Sequence, residues 1–251
     1  MLYMENAIYI ICAVVIFFMG SVVGSFLNVL AYRIPIKESI VKGRSHCTSC
    51  GKQILNRDLI PVFSWIFLRG KCRFCGEKIS PRYMIVELIC GLSYLTAFLA
   101  LGISVKLAFA AVLFPVLIVL SLWDIDRKEI PYACSIIIAA LGLLSFLTEE
   151  MPWYEHLIGM AVIAVPFAVL CFLGAMGGGD VQLMAAAGLL LGWNVVPAAM
   201  IGIILGALMG IVIKVKTKLN IICFGPFLSV GIAAGFLWGG DIIEAYLGLI
   251  R

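Results

Sequence analysis

Charged side chains are scarce. Asp, Glu, Lys and Arg together supply 13% of the residues, roughly half their share in soluble domains, which excludes an ordinary water-soluble domain. Histidine is scarcer still, with only His46 and His156, and the chain has no HExxH and no GxSxG pattern. Zinc-protease and serine-hydrolase chemistry therefore lack their usual machinery. Alternating apolar and polar residues are also missing, which removes a membrane β-barrel from consideration. Glu5 is the only charge before the first apolar run, and that run is too long for a cleavable signal. It is expected to be a retained first helix.

What is present is apolar. Hydrophobic residues make up 63% of the chain and the mean hydropathy is +1.14. Runs of roughly 20 apolar residues recur, each long enough to cross the hydrocarbon layer as a helix. The expected fold is all-α and polytopic, with about eight transmembrane helices near 7–30, 83–101, 105–123, 132–147, 157–173, 181–191, 195–214 and 223–247. The sixth stretch, 181–191, is short for a full crossing. Three divisions are expected: residues 1–32 as the first transmembrane helix, 33–82 as a cytoplasmic loop, and 83–251 as the main membrane core.

The positive charge is concentrated. Arg33, Lys37, Lys42, Arg44, Lys52, Arg57, Arg69, Lys71, Arg73, Lys78 and Arg82 face only Glu38, Asp58 and Glu77. The positive-inside rule places this loop in the cytoplasm, with anionic lipid headgroups as its ordinary partner and no need for nucleic acid. Glu149, Glu150 and Glu155, with Trp153 and Tyr154, fit an external loop, whereas Lys214, Lys216 and Lys218 mark another cytoplasmic turn. Lys106, in a short external connection, runs against the trend. His156 suits an exposed interfacial position, and Glu87, one turn inside its span, is expected to face protein or Arg82.

Within the loop, Cys47-Thr48-Ser49-Cys50 and Cys72-Arg73-Phe74-Cys75 form two CxxC pairs, each followed by a glycine, Gly51 and Gly76. Four thiolates at this spacing suit a closed tetrahedral zinc site of structural type, a zinc-ribbon-like loop. Two disulfides are the rival, disfavoured in a reducing compartment. His46 is a substitute ligand or a solvated loop residue. Cys12, Cys90, Cys134, Cys171 and Cys223 lie in apolar runs and are expected to be small buried side chains. In the first span, Gly20 and Gly24 offer a face for close helix contact, beside Ser25 and Asn28, which can hydrogen-bond across it. Pro35 should end that helix.

Two acids stand at the rims of spans. Asp180 follows Gly177-Gly178-Gly179, and Asp124 lies in Trp123-Asp124-Ile125-Asp126. An ionisable group at such a depth is expensive to desolvate and is a functional candidate. The glycines let the backbone bend and let another segment approach. Counting crossings from an external start, the third span ends at Asp124 and the fifth delivers Asp180, so both acids reach the cytoplasmic face. Two carboxylates in one partly dry site can share a proton and act as acid and base, the arrangement of an intramembrane aspartyl protease. Asp126 is a rival to Asp124, and a capping or topological charge is the plain reading of either acid. A proton-coupled transporter would want midplane ionisable groups and an internal repeat, neither of which is found. A zinc-stabilised assembly scaffold would need neither acid.

Taken in order, these motifs resemble the type IV prepilin leader peptidases, a family of GxGD-type intramembrane aspartyl proteases, across nearly the whole chain. Gly177-Gly178-Gly179-Asp180 matches the signature around the second catalytic aspartate, and Asp124, before Ile130-Pro131, matches the first. Gly24-Ser25-Phe26-Leu27-Asn28, the CxxC pairs, Asp58 to Trp65, Leu68 to Arg73, Arg82-Tyr83 with Glu87, and Phe224-Gly225-Pro226-Phe227 look like the family as well. The resemblance implies a bifunctional enzyme of the bacterial inner membrane. It would cut the leader from prepilins and pseudopilins, then methylate the new N-terminal amine with S-adenosylmethionine. Gly70 and Lys71 match positions associated with methylation. Gln182 stands where the family often has lysine, and Tyr132 where it often has aspartate. A peptidase without methylation is the alternative.

Overall fold

The computed structural model describes residues 2–34, 37–40, 44–148, 151–217 and 223–250. Pro35, Lys42, Glu149, Glu150 and Lys218, to which roles are assigned above, lie outside them. The described residues form helices and connecting loops, with isolated bridges His46–Gln53 and Lys71–Lys78 and no named strand among them. The helices are α1 Leu2–Arg33, α2 Phe63–Phe67, α3 Pro81–Leu101, α4 Val105–Arg127, α5 Tyr132–Ser145, α6 Trp153–Phe172, α7 Gly178–Leu191, α8 Val195–Thr217 and α9 Gly225–Ile250. Leaving aside the five-residue α2, a helix stands at each of the eight expected spans.

Among the described residues, six stretches are long and apolar enough to cross a membrane, fewer than the eight expected. At 1.5 Å per residue, α5 with its 14 residues spans about 21 Å, short of a core about 30 Å thick. The equally short α7 continues through a tight turn into α8 as one 39-residue stretch. The protein is a multi-pass helical membrane protein.

The chain divides into two compact units, 1–115 and 116–251, at Pro115 inside α4. In the first unit α1 packs along α3. Lipid tails are as apolar as leucine, so close backbone approach and hydrogen bonds must hold such a pair. A Cβ at Gly20 would lie 2.8 Å from the Cys90 carbonyl oxygen, and one at Gly24 2.8 Å from the Glu87 Cα. Below them the Asn28 amide donates to the Tyr83 carbonyl at 3.1 Å. The expected small-residue face is therefore the α1–α3 seam. The Tyr94 hydroxyl donates to the Ala111 carbonyl of α4 at 2.6 Å.

In the second unit α7 is the central element, packed by α5, α6, α8 and α9. Its residues from Ala186 to Leu191 are all buried, as expected for a helix apolar on every side. Glycines set its distance from two neighbours. A Cβ at Gly188 would lie 2.7 Å from the Gly159 carbonyl oxygen of α6, and one at Gly142 of α5 would lie 2.9 Å from the Leu189 backbone.

Two expectations about polar and sulfur side chains are corrected here. His156 is fully buried, not exposed at the interface. It lies in the first turns of α6, with its Nδ1 2.9 Å from the Leu189 carbonyl and its ring against Phe146. The last carbonyls of a helix have no partner within it, and His156 supplies one for α7. Of the five cysteines in apolar runs, only Cys90 and Cys134 are buried, while Cys12, Cys171 and Cys223 are partly exposed. Glu87 faces protein as expected, but its partner is the Val62 backbone N–H at 2.7 Å, a contact between α3 and the loop.

Candidate active site and tetracysteine centre

The last turn of α4 carries Asp124, which the family resemblance favours, and its rival Asp126, and burial separates them. Asp124 is 5% exposed, whereas Asp126, two residues on and turned roughly 200° around the helix, is exposed. Asp124 Oδ2 accepts a hydrogen bond at 2.8 Å from the backbone N–H of Gly225, the first residue of α9. A helix start presents unpaired N–H groups and a partial positive charge, which suits a carboxylate. A Cβ at Gly225 would sit 2.8 Å from that same oxygen, so glycine is needed for the approach.

Asp180 lies in the first turn of α7 and is 8% exposed. Its Oδ2 accepts from the Gly177 N–H at 3.1 Å, and the Asp180 N–H donates to the Gly177 carbonyl at 3.1 Å. Asp180 therefore closes the start of its own helix. The preceding helix ends in a Schellman turn, with Gly174 at φ +74° and the Ala175 N–H bonded to the Leu170 carbonyl. The left-handed bend falls at Gly174 rather than in the Gly177–Gly179 triplet, where Gly177 is ordinarily extended at φ −80°. Gly179 instead admits a neighbour: its Cβ would lie 3.0 Å from Cβ of Ile130.

These contacts gather the C-terminal end of α4, the Ile130 segment and the starts of α7 and α9 at one place. Asp124 and Asp180 lie close enough for the charge of one to act on the other. Their placement at the same end of this unit thus does not depend on counting crossings. Sequence reading named Phe224-Gly225-Pro226-Phe227 without a role. A Gly-Pro pair opening a long helix, with free N–H groups, was the signal for an anion partner. Tyr132 is 70% exposed and turns away from the packing. Cys223 lies beside this end of α4, where burial and then the Asp124 charge push its thiol above the ordinary range.

In the other unit, the Sγ atoms of Cys47, Cys50, Cys72 and Cys75 all lie within 4.8 Å of one another, a donor set that could hold a metal ion. The two knuckles repeat one backbone pattern. Gly51 N–H bonds the Cys47 carbonyl and Gly76 N–H the Cys72 carbonyl, with φ of +68° and +74° at the glycines. Backbone N–H groups of Cys50 and then Ser49 bring the Cys47 thiol down to about 6. At Cys75 the Glu77 backbone pulls downward, but burial and the neighbouring thiols win and push it up to about 12. Four crowded sulfurs cannot all ionise without a cation among them.

Gly70 adopts φ +64°, and a Cβ there would lie 2.7 Å from the Trp65 ring, whose Nε1 donates to the Ile79 carbonyl. Gly70 and Lys71 thus form the turn entering the second knuckle. A cavity of about 500 Å³ opens between α1, the loop and α3, lined among others by Asn28, Asp58, Trp65, Arg73 and Glu87, but not by Gly70 or Lys71. Asp58 is held well below the usual carboxylate range by Arg73, which donates through Nε at 2.8 Å and Nη2 at 2.6 Å.

Buried carboxylates beside helix starts in one unit, and a tetracysteine cluster beside a cavity in the other, are the candidate functional features of this polytopic membrane protein. Residues 18–101 match the Bacterial Peptidase A24 N-terminal domain, and residues 111–215 match the Type IV leader peptidase family. The chain is 33% identical to a prepilin leader peptidase/N-methyltransferase of Bacillus subtilis over 93% of its length and 97% of the relative's. It is 31% identical to one of Stutzerimonas stutzeri, covering 97% and 95%. It is also 32% identical to a type 4 prepilin-like proteins leader peptide-processing enzyme of Escherichia coli, covering 84% and 88%. No solved structure is significantly similar. The chain belongs to the type IV prepilin leader peptidase/N-methyltransferase family.

Proposed function

We propose that this chain removes the leader of type IV prepilins or pseudopilins with Asp124 and Asp180 as a paired acid and base, and then N-methylates the exposed amine. The reaction takes place at the cytoplasmic face of the bacterial inner membrane. The ionised carboxylate takes a proton from water, which attacks the scissile carbonyl. The protonated carboxylate gives its proton to the developing oxyanion, and proton return to nitrogen releases the new N-terminus. Each carboxylate has one oxygen held by a backbone N–H, from Gly225 or Gly177, which leaves the other for water or substrate. The single observation behind this assignment is the convergence of two buried acids at the starts of α7 and α9.

The tetracysteine loop suits zinc. Sulfurs 2.3 Å from a tetrahedral zinc are about 3.8 Å apart, and the Cys47–Cys75 Sγ separation is 3.8 Å. With four cysteine ligands no coordination position remains open, so the metal holds the loop together and does not activate water. S-adenosylmethionine supplies the methyl group. Residues 1–32, 33–82 and 83–251 then serve as first span, methylation-associated loop and peptidase core.

The deciding experiment incubates purified enzyme with a prepilin and S-adenosylmethionine and reads product masses. Wild type should yield leader plus a mature chain heavier by one methyl group. Normal processing by Asp124→Asn or Asp180→Asn would remove that acid from the pair. Processing unaffected by loss of both would favour the scaffold reading.

A further inference from the structure

N-methylation as proposed above brings a cationic sulfonium donor to an amine that is largely an ammonium at neutral pH, with a pKa of about 8. The amine must shed a proton before its lone pair can attack. A buried carboxylate with no cation of its own is the group suited to hold the ammonium and take that proton. Of the three acids lining the cavity beside the tetracysteine loop, Glu77 is exposed and Asp58 is committed to Arg73 through two hydrogen bonds. Glu87 is neither. Its Oε2 accepts from the Val62 N–H at 2.7 Å and the Ser25 side chain reaches it, and no Lys, Arg or His among the described residues forms an ion pair with it. It is 9% exposed and lines the cavity together with Asn28. At about 500 Å³ the cavity falls within the range that accommodates a small ligand together with a chain end.

The local backbone points the same way. Val62 is a β-branched residue at φ +65°, a conformation such residues rarely adopt. Strain of this kind persists only where surroundings over-determine it, and it gathers at ligand clamps. Here the Val62 N–H is bonded to the Glu87 carboxylate.

We propose that Glu87 binds the free N-terminal amine of the processed substrate in this cavity and accepts its proton ahead of methyl transfer. The nitrogen lone pair forms the new N–C bond as the methyl C–S bond breaks, and that electron pair stays on sulfur, leaving a neutral thioether. The proton whose loss frees that lone pair passes to Glu87 beforehand and from there to water.

A role confined to bracing Val62 makes a different forecast, since a glutamine oxygen accepts from the Val62 N–H as well as a carboxylate does. The test uses the full-length protein, wild type, Glu87→Gln and Glu87→Asp, with a synthetic peptide carrying the mature N-terminus so that cleavage is not required. Without methyl donor, wild type should bind the free-amine peptide about tenfold tighter than its N-acetylated copy, the scale of one charge-assisted hydrogen bond. Glu87→Gln should erase that preference. With S-adenosylmethionine, its methylation rate should fall about 100-fold and recover partly at higher pH, where more amine is neutral. Glu87→Asp should recover part of both. Zinc content and helical circular dichroism report the fold. An unchanged amine preference and methylation rate in folded Glu87→Gln overturn the proposal. Should that variant not fold, wild-type behaviour of Glu87→Asp, whose carboxylate is drawn back by one methylene, overturns it instead. A wild type that cleaves prepilin but never adds a methyl group defeats the methylation reading itself, whatever Glu87 does.

Discussion

The tetracysteine loop and the carboxylate pair each fix a few ionisable side chains, but they do so in opposite surroundings. In the loop, each knuckle is shaped by bonds within five residues, such as Gly51 N–H to the Cys47 carbonyl and Gly76 N–H to the Cys72 carbonyl. Most of the loop's described residues are exposed or partly exposed. In the helix bundle, Asp124 is held by Gly225, far along the chain, and Asp180 lies at the start of a helix that four others pack. A local site fails when its own turn is altered. A site assembled by packing fails when a distant backbone moves by a few tenths of an ångström.

The largest test of that contrast crosses the two activities. Asp124→Asn or Asp180→Asn should lower leader cleavage by about 1,000-fold, within the range for general acid–base catalysis. Methylation of a pre-cleaved acceptor peptide should persist in these variants, measured by mass on the same preparation. Joint loss of both activities would break the division into two centres.

Next in size, Cys72→Ser should abolish stoichiometric zinc and leave the loop open to proteolysis, since metal binding supplies folding energy in such modules. Metal analysis of protein purified under reducing conditions checks it, and a wild type without zinc would undo the assignment. Smaller again is Gly225→Ala. Its methyl group would stand 2.8 Å from Asp124 Oδ2, and a displaced carboxylate should slow cleavage about 10- to 100-fold. Zinc content should be untouched. A wild-type cleavage rate would mean that the α9 start does not set the Asp124 geometry.

The smallest effect concerns Arg73→Ala, judged by the unfolding midpoint of the loop as pH is varied. Arg73 holds the Asp58 pKa below its unfolded value, so the pair stabilises the folded loop above the ordinary carboxylate range. That stability is lost as pH falls through the lowered value. The variant should unfold slightly earlier at neutral pH, because exposed pairs contribute little, and match wild type in strong acid. A difference that persists there would assign the effect to packing.

Legibility followed the same divide. The all-helical class, the places of the helices and the tetracysteine cluster could be read directly, because apolar run length, CxxC spacing and glycine turns are properties of consecutive residues. Asp124 and Asp180 could be picked out as costly charges beside spans. What packing alone decided was that Asp124, not Asp126, turns inward, that Gly225 supplies its partner, and that His156 is buried against the end of α7. Packing also placed the left-handed turn at Gly174 and gave the glycine triplet a different duty, to admit Ile130. Which face of a helix is covered, and by which distant backbone, depends on how helices approach one another. The amino-acid order of any one of them does not contain that information.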